Sequence, residues 1–298
     1  MRACVIFNPT ARGEGARRWL PFLHDLEGHC ELLPTTFRGA ARSLARKAVE
    51  EGFETIVAAG GDGTVNEVVN GIGDAPEGFL RARLGVLPMG TVNVFARELG
   101  IPSKPKEAWR VIDAGIERLI DLPSAQFLEG SNHQSRAFAQ LAGAGLDARA
   151  VELVNWQLKK KLGVVAYIVA VLQAYAGRTH QIRVETAQGS HSGEAVLIGN
   201  GHLYGGNHPI FHRARLDDGL LDICIFRRLN ARTLAQASLA ILTGNWHKVS
   251  GIDYLQSRDF RLQAEHPTPL ELEGDSAGQL PAHFHITPHR VRVLHPAS

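Results

Sequence analysis

The sequence predicts an α/β domain built on a parallel sheet, followed by a mainly β domain. Three observations predict it. Apolar runs of strand length alternate with helix-period segments as far as Leu122. Two of those strands run straight into glycine-rich turns, at Gly60-Gly61 and at Met89-Gly90. After Leu122 the pattern changes to short strands separated by turn signals such as Tyr204-Gly205-Gly206-Asn207 and Asp217-Asp218-Gly219.

The elements of the first domain, residues 1–122, follow in order. Residues 3–7 form a compact apolar run that stops at Asn8-Pro9, which reads as a buried strand and a loop. Trp19, Leu20, Phe22, Leu23 and Leu26 recur at helical spacing. Residues 31–34 make a second short strand. Residues 40–49 are rich in helix formers and end at Gly52. Residues 55–59 are the third strand, residues 64–70 open a helix, and residues 84–87 are the fourth strand. In the second domain, residues 123–289, strands are expected at 137–141, 181–186, 195–198, 221–226 and 260–264, with helices at 151–176 and 231–242. A last strand, near 290–298, is a candidate to return to the first domain. No internal repeat is visible.

Composition excludes several classes. The chain has 298 residues, 44% of them hydrophobic and 21% charged, which is an ordinary globular balance. A net charge of +2 and the absence of a long basic block give no argument for nucleic acid. Three cysteines, Cys4, Cys30 and Cys224, lie far apart with no CxxC pair, which fits a reduced, cytoplasmic protein. The longest apolar stretch, residues 162–176, falls short of the ~20 residues a spanning helix needs.

The informative segment is Gly60-Gly61-Asp62-Gly63-Thr64-Val65-Asn66-Glu67, between a strand and a helix. Its glycines let a bulky anion approach the backbone. The free N–H groups of a helix start would then face that anion. Thr64 and Glu67 fit a capping box, with Thr at the N-cap and Glu at N3. Asp62 would repel phosphate unless a cation lies between them, and Mg²⁺ binds carboxylates together with nucleotide phosphates. The pattern is neither GxxxxGK[ST] nor GxGxxG. Taken alone it is also compatible with an ordinary glycine-rich turn. The second turn, Pro88-Met89-Gly90-Thr91-Val92-Asn93, has the same logic, with Thr91 or Asn93 as cap. Two such turns at the carboxyl ends of parallel strands point to one crevice.

GGDGT followed by PMGTVNVFAR is similar to the catalytic domain shared by diacylglycerol, sphingosine and ceramide kinases and bacterial lipid kinases. Asn8-Pro9 resembles that superfamily's opening NP loop, and Thr35 its nucleotide-contacting Thr. Residues 143–148 (GAGLDA), residues 200–206 with 214–222, and Leu272-Glu273-Gly274-Asp275 match further stretches in order. The resemblance spans nearly the whole chain. It implies a Rossmann-like, NAD-kinase-like α/β nucleotide-binding domain and a sandwich-like β domain, with the active site between them. It implies transfer of the γ-phosphate of ATP, with Mg²⁺, to a lipid hydroxyl presented by a membrane, transiently at its inner face. Asn8, Thr35, residues Gly60, Gly61, Asp62, Gly63, Thr64, Val65, Asn66 and Glu67, and Gly90, Thr91 and Asn93 would contact ATP. Asp62 would act through Mg²⁺. Asp275 takes the place of the family's catalytic Glu as base, oriented by Glu273. Asp218, with the backbone carbonyls of Arg215 and Leu220, matches a second, structural Mg²⁺ site.

Two departures stand out. The sequence reads Glu273-Gly274-Asp275 where the family usually has Asp-Gly-Glu, and Val94 replaces an acid of the GTxND pattern. Asp121 still matches another acid of the family's carboxylate network. Two rival readings follow: an NAD kinase-like small-molecule kinase, since NAD kinases also carry GGDGT, and an inactive ATP- or lipid-binding regulator. Lys159-Lys160-Lys161 beside an apolar run reads either as a membrane-docking face or as a solvated cluster. His208 with His212, and His283 with His285, have metal-ligand spacing but no completing ligand. Trp109, Trp156 and Trp246 read as core or helix-face residues. Monomer and homodimer are both compatible with the sequence.

Overall fold

A strand buried on both faces reads as an unbroken apolar run, and the first strands of this chain do. The computed structural model describes residues 2–9, 14–145, 148, 180–246 and 249–297. They form two compact units: Met1–Leu122 with Thr287–Ser298, and Pro123–Ile286. The expected helix at 151–176, with Lys159-Lys160-Lys161 and Trp156, lies outside the described residues, as do Leu146 and Asp147.

The first unit holds β1 (Ala3–Phe7), α1 (Glu14–Asp25), β2 (Glu31–Pro34), α2 (Ala40–Glu50), β3 (Thr55–Gly60), α3 (Asp62–Asp74), α4 (Gly78–Arg81), β4 (Arg83–Pro88), α5 (Val94–Glu98), α6 (Pro105–Ala114) and the start of β5 (Glu117–Glu129). β1 pairs in parallel with β2 on one side and β3 on the other, and β3 pairs in parallel with β4. The strand order is therefore 2-1-3-4, and the chain reverses direction across the sheet at β1. Right-handed crossovers then put α1 on one face and α2 and α3 on the other. The packing agrees: α2 lies against α3, and α1 against α6. Cys4, Val5 and Ile6 of β1 and the whole of β3 are buried between these layers. Gly71 of α3 allows the close α2–α3 contact, because a Cβ there would overlap the carbonyl of Arg42.

The second unit continues β5 and adds β6 (Asn132–Ala137), β7 (Leu141–Gly145), β8 (Ile182–Thr186), β9 (Gly189–Gly193), β10 (Ala195–Gly199), β11 (Leu203–Tyr204), β12 (His208–Pro209) and β13 (Leu221–Phe226). After α7 (Ala231–Thr243) come β14 (Ile252–Ser257), β15 (Asp259–Ala264), β16 (Pro269–Leu272) and β17 (Asp275–Leu294). One antiparallel run is ordered β14-β13-β10-β7-β16, and β17 joins it through its hairpin with β16. Further along, β17 pairs with β15, which leads to β8 and β9. One long strand thus belongs to both runs, and their inner faces make a sandwich core. Phe260 stacks on Phe284 at 5.1 Å, and Phe138 meets Phe284 edge-on at 6.0 Å. The end of β17 then pairs in parallel with β4 of the first unit, Val293 opposite Leu84.

The α/β-then-β class that the sequence predicts is the class observed, but local corrections are needed. The strand expected at 137–141 is two strands with a break between them. Phe138 N–H donates to Pro123, and the N–H groups of Ala139 and Gln140 donate to the Glu273 carboxylate, so this segment joins no ladder. α3 begins at Asp62, three residues earlier than a capping box with Thr64 as N-cap requires. Gly61 is its N-cap, with no side-chain cap bond. No described helix is long and apolar enough to cross a membrane.

Candidate functional site

Parallel strands deliver their carboxyl ends to one edge, and in the first unit four loops meet there. Asn8 follows β1 and is exposed. Thr35 follows β2, and its N–H donates to Phe7 O at 2.8 Å. Gly60 ends β3, and its carbonyl accepts from both Met89 N (3.0 Å) and Gly90 N (3.2 Å) of the loop after β4. The two glycine-rich loops touch. A Cβ on Gly90 would lie 2.5 Å from Gly61 Cα and 2.6 Å from Asn93 Oδ1, so only glycine fits without moving backbone. A Cβ on Gly60 would overlap the Thr64 side chain.

The acids of this region cap helices other than their own. Asp62 Oδ1 accepts from Phe95 N at 3.0 Å, in the first turn of α5. The Glu67 carboxylate accepts from Gly39 N (3.0 Å) and Ala41 N (3.1 Å), at the start of α2. An anion at a helix N-terminus is favoured by the dipole and by the N–H groups left over there. Asp62 and Glu67 thus tie the start of α3 to the starts of α5 and α2, and so fix three loops around one edge. This corrects the expected capping box: Glu67 serves α2, not its own helix.

Asn93 is the N-cap of α5, in the left-handed region at φ 53°, and its side chain does not cap that helix. Its Nδ2 instead donates to Gly90 O at 2.8 Å and closes the loop. Asn93 Oδ1 is buried without a protein hydrogen-bond partner. Such an acceptor beside the Gly61–Gly90 contact suits a ligand or water that donates to it. Val65 and Asn66 are buried in α3, whereas Gly61 to Thr64 and Glu67 are half-buried and Thr91 is exposed. Asp121 is also nearly buried, 3.3 Å from Arg290 Nε.

The remaining expected site residues belong to the second unit. Leu272-Glu273-Gly274-Asp275 forms a two-residue hairpin between β16 and β17. Leu272 pairs with Asp275, and Glu273 (φ 57°) and Gly274 (φ 78°) both take positive φ. Two successive positive φ values make the tight turn whose twist matches the flanking strands. The two carboxylates differ sharply. Glu273 is buried, and its Oε1 accepts from Ala139 N (2.6 Å) and Gln140 N (2.7 Å). Asp275 is exposed.

In the segment before β13, Asp218 Oδ1 accepts from Leu220 N at 3.0 Å, and Arg215 pairs with Asp217 at 3.3 Å. Gly219, at φ +76°, shapes the turn. A carboxylate with nearby backbone carbonyls is a donor set suited to a hard cation such as Mg²⁺. Next to it, Asp222 is fully buried and accepts from Tyr254 OH and from Gln256 Nε2 (3.1 Å). Burial pushes its carboxyl above the usual range, against the two hydrogen bonds. His212 packs on the Tyr254 ring at 4.2 Å, and Arg213 N donates to Tyr254 OH. The sequence reading missed this anchor. It also missed Glu271, although one acid inside Pro269-Leu270-Glu271-Leu272 was the available signal. His283 instead bonds Asp259 at 2.8 Å. Among the described residues no group of three potential metal ligands comes together around the histidine pairs.

Two family models match the chain. Residues 2–125 match the diacylglycerol kinase catalytic domain, and residues 140–295 match the YegS C-terminal NAD kinase beta sandwich-like domain. The chain is 30% identical over 302 residues to a diacylglycerol kinase of Staphylococcus carnosus, which covers 99% of this chain and 95% of the relative. It is 31% identical over 290 residues to a diacylglycerol kinase of Staphylococcus aureus, covering 95% and 89%. A crystal structure of a diacylglycerol kinase from Bacillus anthracis superposes with a TM-score of 0.69 at 20% identity, over 99% of this chain and 97% of that one. A second structure from the same organism reaches 0.80 at 22%, over 99% and 95%. At these identities the structures speak for the fold.

Proposed function

The chain belongs to the diacylglycerol kinase family and is a lipid kinase, and from that premise we propose that it moves the γ-phosphoryl group of ATP to a hydroxyl of diacylglycerol, with Mg²⁺ as its divalent ion. The observation that carries this reading is the contact of two glycine loops at Gly61 and Gly90, at the carboxyl edge of the parallel sheet, with Asp62 beside it. Phosphoryl transfer asks chiefly for positioning and neutralised charge. The N–H groups at the start of α3, with Thr64, Thr91 and Thr35, would hold the nucleotide. Asp62 would hold Mg²⁺, and the ion would neutralise charge on the phosphate oxygens. Asp218, with the carbonyls of Arg215 and Leu220, would hold a second, structural ion that stiffens its turn.

The acceptor oxygen forms a bond to the γ-phosphorus as the bond to the β,γ-bridging oxygen breaks, and ADP leaves. The hydroxyl proton passes to a carboxylate, and we assign that role to Asp275 as general base. Glu273 is a poorer choice, because two short backbone hydrogen bonds hold its Oε1. The lipid acceptor would be met at a membrane surface.

A panel of micellar acceptors tests the substrate: diacylglycerol, phosphatidylglycerol, ceramide and sphingosine, with NAD as soluble control. Label from γ-labelled ATP is expected in diacylglycerol and lost in Asp275→Asn, which should still bind ATP. Label in another acceptor alone would overturn the substrate, and an active Asp275→Asn would overturn the base.

A further inference from the structure

A fully buried carboxylate needs a reason, because taking a charge out of water costs several kcal/mol unless strong hydrogen bonds offset it. Glu271 of β16 is 0% exposed, between the apolar Leu270 and Leu272. Its Oε2 accepts from Gly274 N at 2.7 Å. Its cross-strand neighbour on β7 is Gly143, which has no side chain. The β16–β17 ladder shifts register at this residue: Leu270 faces Gly278, while Glu271 faces Ser276. Such bulges re-aim side chains and gather beside active sites.

Three devices therefore converge on one turn. The bulge sets the direction of the strand that begins at Asp275. Glu271 grips the turn at Gly274, and Glu273 grips it at Ala139 and Gln140. Glu273 adopts a positive φ that a side chain disfavours. A hairpin that only had to close would need the positive φ values but not a buried acid.

We infer that Glu271 is a positioning residue, whose carboxylate oxygen holds Gly274 N–H and thereby sets where the next residue, Asp275, presents its carboxylate. This rests on the assignment of Asp275 as base. Asp is a methylene shorter than Glu, so the reach lost in the side chain must be supplied by backbone placement. The buried acid four residues upstream supplies it, through its bond to Gly274 N–H.

Two near-isosteric variants test this. Glu271→Gln keeps the length and an oxygen acceptor but removes the charge. Glu271→Asp keeps the charge and draws the acceptor back by about one bond length. For Glu271→Asp, kcat should fall by about 10- to 100-fold, the scale of an ångström-sized displacement, with KM for ATP within about twofold of the parent. Its kcat–pH profile should also shift, as for a displaced base. Glu271→Gln should stay within about threefold of the parent kcat, and Mg²⁺-ATP binding by calorimetry should confirm folded sites in both. An unchanged kcat in Glu271→Asp, or an equal loss in both variants, overturns the inference. Asp275→Asn run in parallel separates the two ideas: if it is active, the base assignment has failed. If it is dead while Glu271→Asp is normal, only the positioning role has failed.

Discussion

Asp62 and Glu67 lie five residues apart on one helix, yet each serves a different neighbour. The spacing Thr64–Glu67 was legible in the sequence as a capping box, but the helix starts earlier and Glu67 reaches α2 instead. A local pattern cannot reveal a partner 26 to 28 positions away. Glu67→Ala should therefore lower stability by about 1–2 kcal/mol through the lost cap of α2, read as a drop in the chemical denaturation midpoint. Thiol chemistry offers a second check at this scale. Burial pushes Cys4 up to about 12 and Cys30 up to about 11, and raises Cys224 as well. All three should stay protonated and react slowly with a thiol reagent at pH 8 in the native protein, and quickly in denaturant. Asp222 has a raised folded pKa, so its contribution is full below its ordinary 3.8 and is lost as pH rises through the folded value. The stability of the parent relative to Asp222→Asn should accordingly decline from pH 4 to pH 7.

Elements were easier to read than their partners. β1, β3 and β4 stand out because strands covered on both faces are apolar throughout. The glycine turns stand out because backbone must pass close to backbone. Gly90→Ala should disturb the Gly61 contact, cost about 1–3 kcal/mol as overpacking does, and weaken ATP binding, both measurable by calorimetry. In the β unit, Phe284→Ala should cost about 3–5 kcal/mol, since the ring lies between Phe260 and Phe138. The break at 138–140 was not legible. Its residues are apolar enough for a strand, but Phe138 N–H turns to Pro123 and the distant Glu273 carboxylate takes the N–H groups of Ala139 and Gln140.

For the whole molecule, order of motifs carried more than any single motif. GGDGT alone is shared with other kinases, whereas GGDGT, PMGTVNVFAR and DDGLLD in sequence pointed to lipid kinases, the family to which the chain belongs. Among the three acids within five positions of the 271–275 hairpin, the resemblance singled out Asp275 and Glu273 but not Glu271. Their burial differs: Glu271 and Glu273 are enclosed and Asp275 is exposed. The measurement that tests the central claim most directly is transfer of label from γ-labelled ATP to micellar diacylglycerol with Mg²⁺, comparing the parent with Asp62→Ala. Labelled lipid that forms with the parent and drops by at least ~100-fold in the variant is the expected result, in line with the loss of a charge-stabilising group. No labelled lipid from a parent protein that binds ATP, or undiminished transfer by Asp62→Ala, would contradict it.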